Sequence, residues 1–223
     1  MKKTNIDSPF YRAMGKLGDL VQLSVLWLVC SLPIVTIGAS TLGLFAVTGK
    51  LAAGEDYMVR ADFFKAFKRD FKQSTALWLV LLVIGFVGLW GMQAAAAQST
   101  VFAGVLTAAS FLLAVIAACC GCWGLALLAR FTYPNALLVL QDGARMTLAN
   151  LLPTTGILVC LLWAPLLSRL APEVFTYLLP VTLLLGAGLS AWGMEALMRP
   201  AFAKLEQARV SADPLEENAP SER

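Results

Sequence analysis

Few side chains in this chain could do chemistry. There is no histidine among its 223 residues, which removes the usual general base and the usual metal ligand together. The five cysteines, Cys30, Cys119, Cys120, Cys122 and Cys160, all sit in apolar runs, where a thiol packs as a small hydrophobe. A Cys-Cys-x-Cys metal site would need three thiolates in a low-dielectric layer without a nearby cation, and it is discounted. No nucleophile–base pair or phosphate loop can be traced, so no catalytic, cofactor or metal residue is assigned and the chain reads as a non-enzyme. Two groups remain as candidate ligand or gate residues. Glu195 and Arg199 stand four apart, share a helix face and can pair. An acid at membrane depth is also a default pathway site, so an interfacial ion pair and a gate both stay open. Thr36, Gly38, Ser40 and Thr41 follow Pro33, and broken helices supply ligand sites in transporters; a purely architectural bend is the other reading.

The elements that must hold these residues are set by where charge is missing. Between Lys72 and Arg130 there is no Asp, Glu, Lys or Arg for 57 residues. At about 1.5 Å rise per residue and roughly 30 Å of hydrocarbon, that run holds two bilayer spans and a turn. With 59% hydrophobic and 14% charged residues, against about 25% charged in soluble domains, the chain belongs to the membrane class. The expected fold is all-α: a polytopic membrane helix bundle forming one domain over residues 1–206. Its apolar elements lie at about 17–53, 73–96, 101–129, 147–168 and 174–198, and a polar tail at 207–223 reads as disordered. The basic start is not followed by a signal-peptide pattern and is read as retained.

Basic residues fix the expected topology. Lys2, Lys3, Arg12 and Lys16 precede the first run, six more lie from Lys50 to Lys72, and Arg199, Lys204, Arg209 and Arg223 follow the last. The positive-inside rule places these groups, and both termini, in the cytoplasm. Leu20–Gly49 has basic flanks on both sides yet is too short for two full helical crossings. Pro33 and Gly38 offer a way out, a helix to about Leu32, a turn, and a second helix from about Ala39 to Ala53. One long kinked span with the amino end outside is the alternative.

Two connectors read as cytoplasmic interfacial helices. Over Asp62–Lys72, Phe63, Phe64, Phe67 and Phe71 share an arc of about 100°, opposite Lys65, Lys68, Arg69 and Lys72. These eight residues are the candidate membrane or partner docking face, with Asp62 as N-cap. Tyr133–Asn150 occupies the equivalent place before the next pair of spans, so the two halves are candidate repeats. Gly85, Gly88 and Gly91, Gly104 with Ala108, and Gly186 with Ser190 read as close-packing positions. Nucleic-acid binding has no supporting patch beyond Lys65–Lys72, which membrane anchoring explains better.

The stretch Leu26-Trp27-Leu28-Val29-Cys30-Ser31-Leu32-Pro33-Ile34-Val35-Thr36-Ile37-Gly38-Ala39, followed by Asp62-Phe63-Phe64-Lys65-Ala66-Phe67-Lys68-Arg69-Asp70-Phe71-Lys72-Gln73, resembles the YesL-like family of bacterial membrane proteins. Arg130 and Asn150-Leu151-Leu152-Pro153 look similar as well. The resemblance implies a bacterial inner-membrane protein without established activity, working beside carbohydrate uptake and utilisation. It supplies no ligand residues. The expected function is that of an accessory protein docked to a sugar-import or sensing complex, in the bilayer and as a candidate homo-oligomer. A small transporter or channel with its path beside Pro33–Gly38 is the alternative.

Overall fold

The computed structural model describes residues 9–96 and 101–212. Among these residues every regular element is helical. α1 (Pro9–Cys30) is followed by a tight 3-10 turn at Ile34–Thr36 and by α2 (Ile37–Ala53). α3 (Val59–Arg69) leads into the long pair α4 (Phe71–Ala96) and α5 (Val101–Arg130). α6 (Ala136–Ala149), α7 (Leu151–Leu170), α8 (Pro172–Val181) and α9 (Ala187–Ala212) complete the chain, with a π-turn at Thr182–Gly186 between the last two.

Ile34–Ala53, Phe71–Ala94 and Val101–Arg130 are each long and apolar enough to cross a membrane. Two bent pairs, α6 with α7 at 104° and α8 with α9 at 65°, raise the number to five if each counts as one span. This is compatible with a multi-pass membrane protein whose surroundings are a lipid bilayer. Val83, Phe86, Val87, Trp90, Phe102 and Val105 are exposed along the far half of α4 and α5, as a lipid-facing hairpin requires.

The opening element is a hairpin. Trp27 Nε1 donates to Thr41 Oγ1 at 3.1 Å near the turn, and Tyr57 donates to Asp19 Oδ2 at 2.6 Å at the other end. Antiparallel pairing of α1 and α2 is the arrangement that permits both bonds. A single kinked span is thereby set aside. The helices end and restart at Cys30 and Ile37, within two residues of the sequence expectation. Proline explains the gap, since it lacks a donor and disfavours helix at Leu32.

Glycine is required where α2 crosses its neighbours. A Cβ at Gly38 would sit 2.5 Å from both Ser74 O and Trp78 Cβ of α4, and one at Gly43 only 2.9 Å from the Phe63 ring of α3. On α6, a Cβ at Gly143 would meet Cys120 O of α5 at 2.6 Å. At these three positions the absence of a side chain lets neighbouring helices approach closely. Of the small residues singled out in the sequence, Gly88 and Gly91 do pack tightly, against Ser110, whereas Gly85 and Gly104 meet nothing within 4 Å.

Several boundaries differ from expectation: α1 begins at Pro9 rather than about Leu17, and α3 spans Val59–Arg69 rather than Asp62–Lys72, with Phe71 and Lys72 opening α4. The third span begins after a sharp bend at Asn150, so Thr147–Ala149 belong to α6; Pro153 falls in the first turn of α7, where its missing donor costs nothing. The last run is two helices joined by a π-turn, Pro180 lying inside the first. α9 continues to Ala212, beyond the point where the tail was placed, and residues 213–223 lie outside the described residues.

Candidate functional site

The break and the charged end of the bundle gather the polar side chains. At the break, Thr36 Oγ1 donates toward the carbonyls of Cys30 and Pro33, at 2.7 and 2.8 Å. It closes the carbonyl end of α1, whose last groups have no intrahelical partner. The hydroxyls of Ser40 and Ser31 are 2.6 Å apart, and Ser40 also reaches Ile37 O at 3.0 Å. Thr41 donates to Ile37 O at 2.7 Å. Trp78 Nε1 of α4 ties down Ile34 O at 2.9 Å. Thr36, Ser40 and Thr41 are thus all engaged in holding the turn. Gly38 beside them serves the contact with α4.

Next to the break lies a cavity of about 770 Å³ between the opening hairpin, α4–α5 and α7–α9. Trp27, Trp78, Trp163, Leu81 and Leu179 line it with little polar surface beyond Thr41, Thr182 and Ser190. It offers a solute apolar walls and few hydrogen-bonding groups.

The charged end is built differently. Glu195 of α9 is fully buried, and its Oε2 accepts a bond from Nη2 of Arg130, the last residue of α5, at 2.6 Å. The Arg130 guanidinium lies 4.1 Å over the Phe202 ring, a cation–π contact, and Phe202 packs edge-on against the buried Trp123. Gly49 of α2 covers the pair, where an added Cβ would stand 3.5 Å from Arg130 Nη2. Glu195 Oε1 and Arg130 Nε are buried without a partner.

The expected Glu195–Arg199 pair is not formed. Arg199 instead donates to Ala52 O at 2.7 Å, satisfying a carbonyl at the end of α2, where a cation also suits the helix dipole. Glu195 takes a partner 65 positions away because its side chain faces the core while Arg199 is exposed. A signal for this was present: Arg130 is the one charge closing the long apolar run and Glu195 the first acid after another, and such residues pair inside bundles.

α3 is anchored on the same end. Phe63 is fully buried, wedged against Gly43 and stacked on Phe67, which meets Phe71 at 5.4 Å. Phe64 is exposed. The phenylalanine arc therefore faces the protein's own core more than a bilayer or partner. Arg69, though exposed, is tied to the bundle by bonds to Asp70 Oδ2 at 2.6 Å and Leu128 O at 3.0 Å. Lys65, Lys68 and Lys72 remain exposed. Asp62 is not the N-cap: the helix begins at Val59, and Asp62 reaches back from the first turn to the Met58 amide at 2.9 Å. It also binds Lys50 Nζ at 2.9 Å. Burial alone would raise the Asp62 carboxyl, but that amide and the Lys50 ammonium hold it below its ordinary value.

A pocket of about 350 Å³ lies between α2, α3, α5 and α9, with Lys50, Lys65, Arg69 and Arg130 on its walls together with Glu55, Asp62 and Glu206. Sequence reasoning missed it, because its residues come from four separate elements and the loop after α2. The five cysteines are free thiols, and among the described residues no group of three or more potential ligands is placed to hold a metal.

A family model described as a protein of unknown function, DUF624, matches residues 20–92. The match takes in most of the α1–α2 hairpin, α3 and most of α4. It points to an uncharacterised family. No curated protein and no solved structure matches the chain.

Proposed function

We propose that this chain is a non-catalytic accessory protein of the bacterial inner membrane that docks a partner on the outward face of α3. The observation that carries this reading is the way α3 is held. Phe63 and Arg69 lock it to α2 and α5, while Lys65 and Lys68 of α3 and Lys72 in the first turn of α4 stay exposed. A rigid basic face presents charge without a large ordering cost on binding, which favours specific docking over adaptable contact. Placing that partner in sugar import or sensing rests on the resemblance of Leu26–Ala39 and Asp62–Gln73 to the YesL-like family. The topology that fits is cytoplasmic termini with α3 on the same side.

The test is cross-linking in native membranes followed by purification of the full chain. The expected result is a stoichiometric partner that is lost from the variant carrying Lys68→Glu and Lys72→Glu, with thermal unfolding unchanged. Recovery of no stoichiometric partner from the unaltered chain refutes the reading.

Transport remains the second reading, favoured by the cavity of about 770 Å³ beside the break. Solute or ion flux in liposomes holding this chain alone, abolished by Thr36→Val or Glu195→Gln, would establish it instead.

A further inference from the structure

We propose that the pocket at the charged end binds a zwitterionic phosphate ester of an amino alcohol, its phosphate on Lys65 and its ammonium between Glu55 and Glu206. Its volume of about 350 Å³ is within the range of small-ligand sites. The argument starts from which of its charges are already answered. Lys50 is tied to Asp62 at 2.9 Å, Arg130 to Glu195 at 2.6 Å, and Arg69 to Asp70 at 2.6 Å. Lys65 makes no hydrogen bond or ion pair among the described residues and feels Asp62 only through space. Glu55 and Glu206 line the same pocket, likewise without a bonded partner among those residues. One free ammonium and two free carboxylates in one cavity disfavour a simple anion, which the carboxylates repel, and a simple cation, which Lys65 repels. They complement a molecule that carries both signs.

Position selects the phosphate as the anionic part. The pocket sits where Ile34–Ala53 and Val101–Arg130 end, and spans of that length place their ends at the depth of the lipid phosphates. Phe45, Ala46 and Ala66 form the apolar floor of the pocket, with Phe45 and Ala66 themselves buried. A phosphoethanolamine headgroup therefore meets both the charge pattern and the depth, and a soluble phosphoethanolamine carries the same chemistry.

The experiment is native mass spectrometry of the full chain released from nanodiscs of mixed phosphatidylethanolamine and phosphatidylglycerol. The expected result is retention of the ethanolamine lipid over the glycerol lipid by about tenfold. Lys65→Ala and Glu206→Gln should each remove most of that preference, a loss of about tenfold corresponding to one charged contact. Lys68→Ala, outside the pocket on the same helix, should leave it unchanged. A parallel thermal-shift titration with phosphoethanolamine separates the sources: protection that depends on Lys65, without lipid enrichment, assigns the site to the soluble ester. Equal retention of the two lipids with no response to phosphoethanolamine overturns the proposal. So does a preference that survives both pocket variants, or one that Lys68→Ala removes equally.

Discussion

The break at Ser31–Thr41 and the charged end around Arg130 both place polar groups inside an apolar bundle, and they resolve the cost in opposite ways. At the break, each hydroxyl finds a carbonyl or hydroxyl within ten positions of itself: Thr36 with Cys30 and Pro33, Ser40 with Ser31 and Ile37, Thr41 with Ile37. At the charged end, the decisive partners are separated by 65 positions for Arg130 and Glu195, 59 for Arg69 and Leu128, and 147 for Arg199 and Ala52. Local closure satisfies the hydroxyls of the turn, and Trp78 of α4 adds one longer-range bond at Ile34 O. Long-range closure ties α2, α3, α5 and α9 to one another, and it leaves Glu195 Oε1 and Arg130 Nε without partners. The hydroxyls of the first region are taken up in the turn, while the second holds side chains with hydrogen-bonding capacity to spare.

If this contrast holds, the largest loss follows from breaking the buried pair. Arg130→Leu leaves the Glu195 carboxylate buried and unopposed, and the cost is expected to be roughly 3–5 kcal/mol. Thermal unfolding in detergent reads it. Replacing both partners, with Arg130→Met and Glu195→Leu together, should recover most of the stability, because two apolar residues avoid the desolvation of both charges. Arg199→Leu, which loses an exposed bond to a helix end, should cost about 1 kcal/mol. A larger effect at Arg199 than at Arg130 would reverse the assignment of the partner.

Backbone approach at the break comes next. Gly38→Ala places a methyl 2.5 Å from Ser74 O and Trp78 Cβ, and backbone cannot yield as a flexible side chain does. The expected cost is about 1–3 kcal/mol. Gly85→Ala, where nothing lies within 4 Å, should be neutral or stabilising by up to about 1 kcal/mol through helix propensity. The same unfolding assay compares them, and equal losses would mean the α2–α4 contact is not as close as described. A smaller effect belongs to Thr36→Val, which keeps the side-chain shape but removes the donor to Cys30 O, at about 1 kcal/mol.

What could be read beforehand follows the same division. The break was legible because its cause is local: Pro33 stops one helix. Gly38, expected to permit the bend, lies inside α2 without a positive φ and serves the contact with α4 instead. The span from Val101 to Arg130 was legible because absence of charge is a pattern along the chain. The 104° bend at Asn150 was marked by Asn150-Leu151-Leu152-Pro153, yet the uninterrupted hydrophobicity from Met146 concealed it. The phenylalanine arc gave the right helix face, but periodicity cannot say whether that face meets lipid, a partner or the chain's own Gly43. The charged pocket was invisible for a deeper reason. An i, i+4 rule offers Glu195 a neighbour on its own helix, while its true partner depends on how α5 and α9 come together.

An effect of the same order as that of Thr36→Val tests whether the hairpin is closed at its open end as firmly as at its turn. Tyr57 and Asp19 join the middle of α1 to the chain after α2 through a bond of 2.6 Å. Burial first, then the hydrogen bond and charge of Asp19, push the Tyr57 hydroxyl from 10.0 up to about 12. The folded state thus holds this proton more tightly than the unfolded chain does. The stabilisation is fully present below about pH 10 and is lost as the pH rises toward 12. Tyr57→Phe should lower stability by about 0.5–1.5 kcal/mol at neutral pH, and should also flatten the alkaline decline in unfolding temperature. A decline of the same steepness in the phenylalanine variant would show that another group governs it and that the hairpin is held shut at its turn alone.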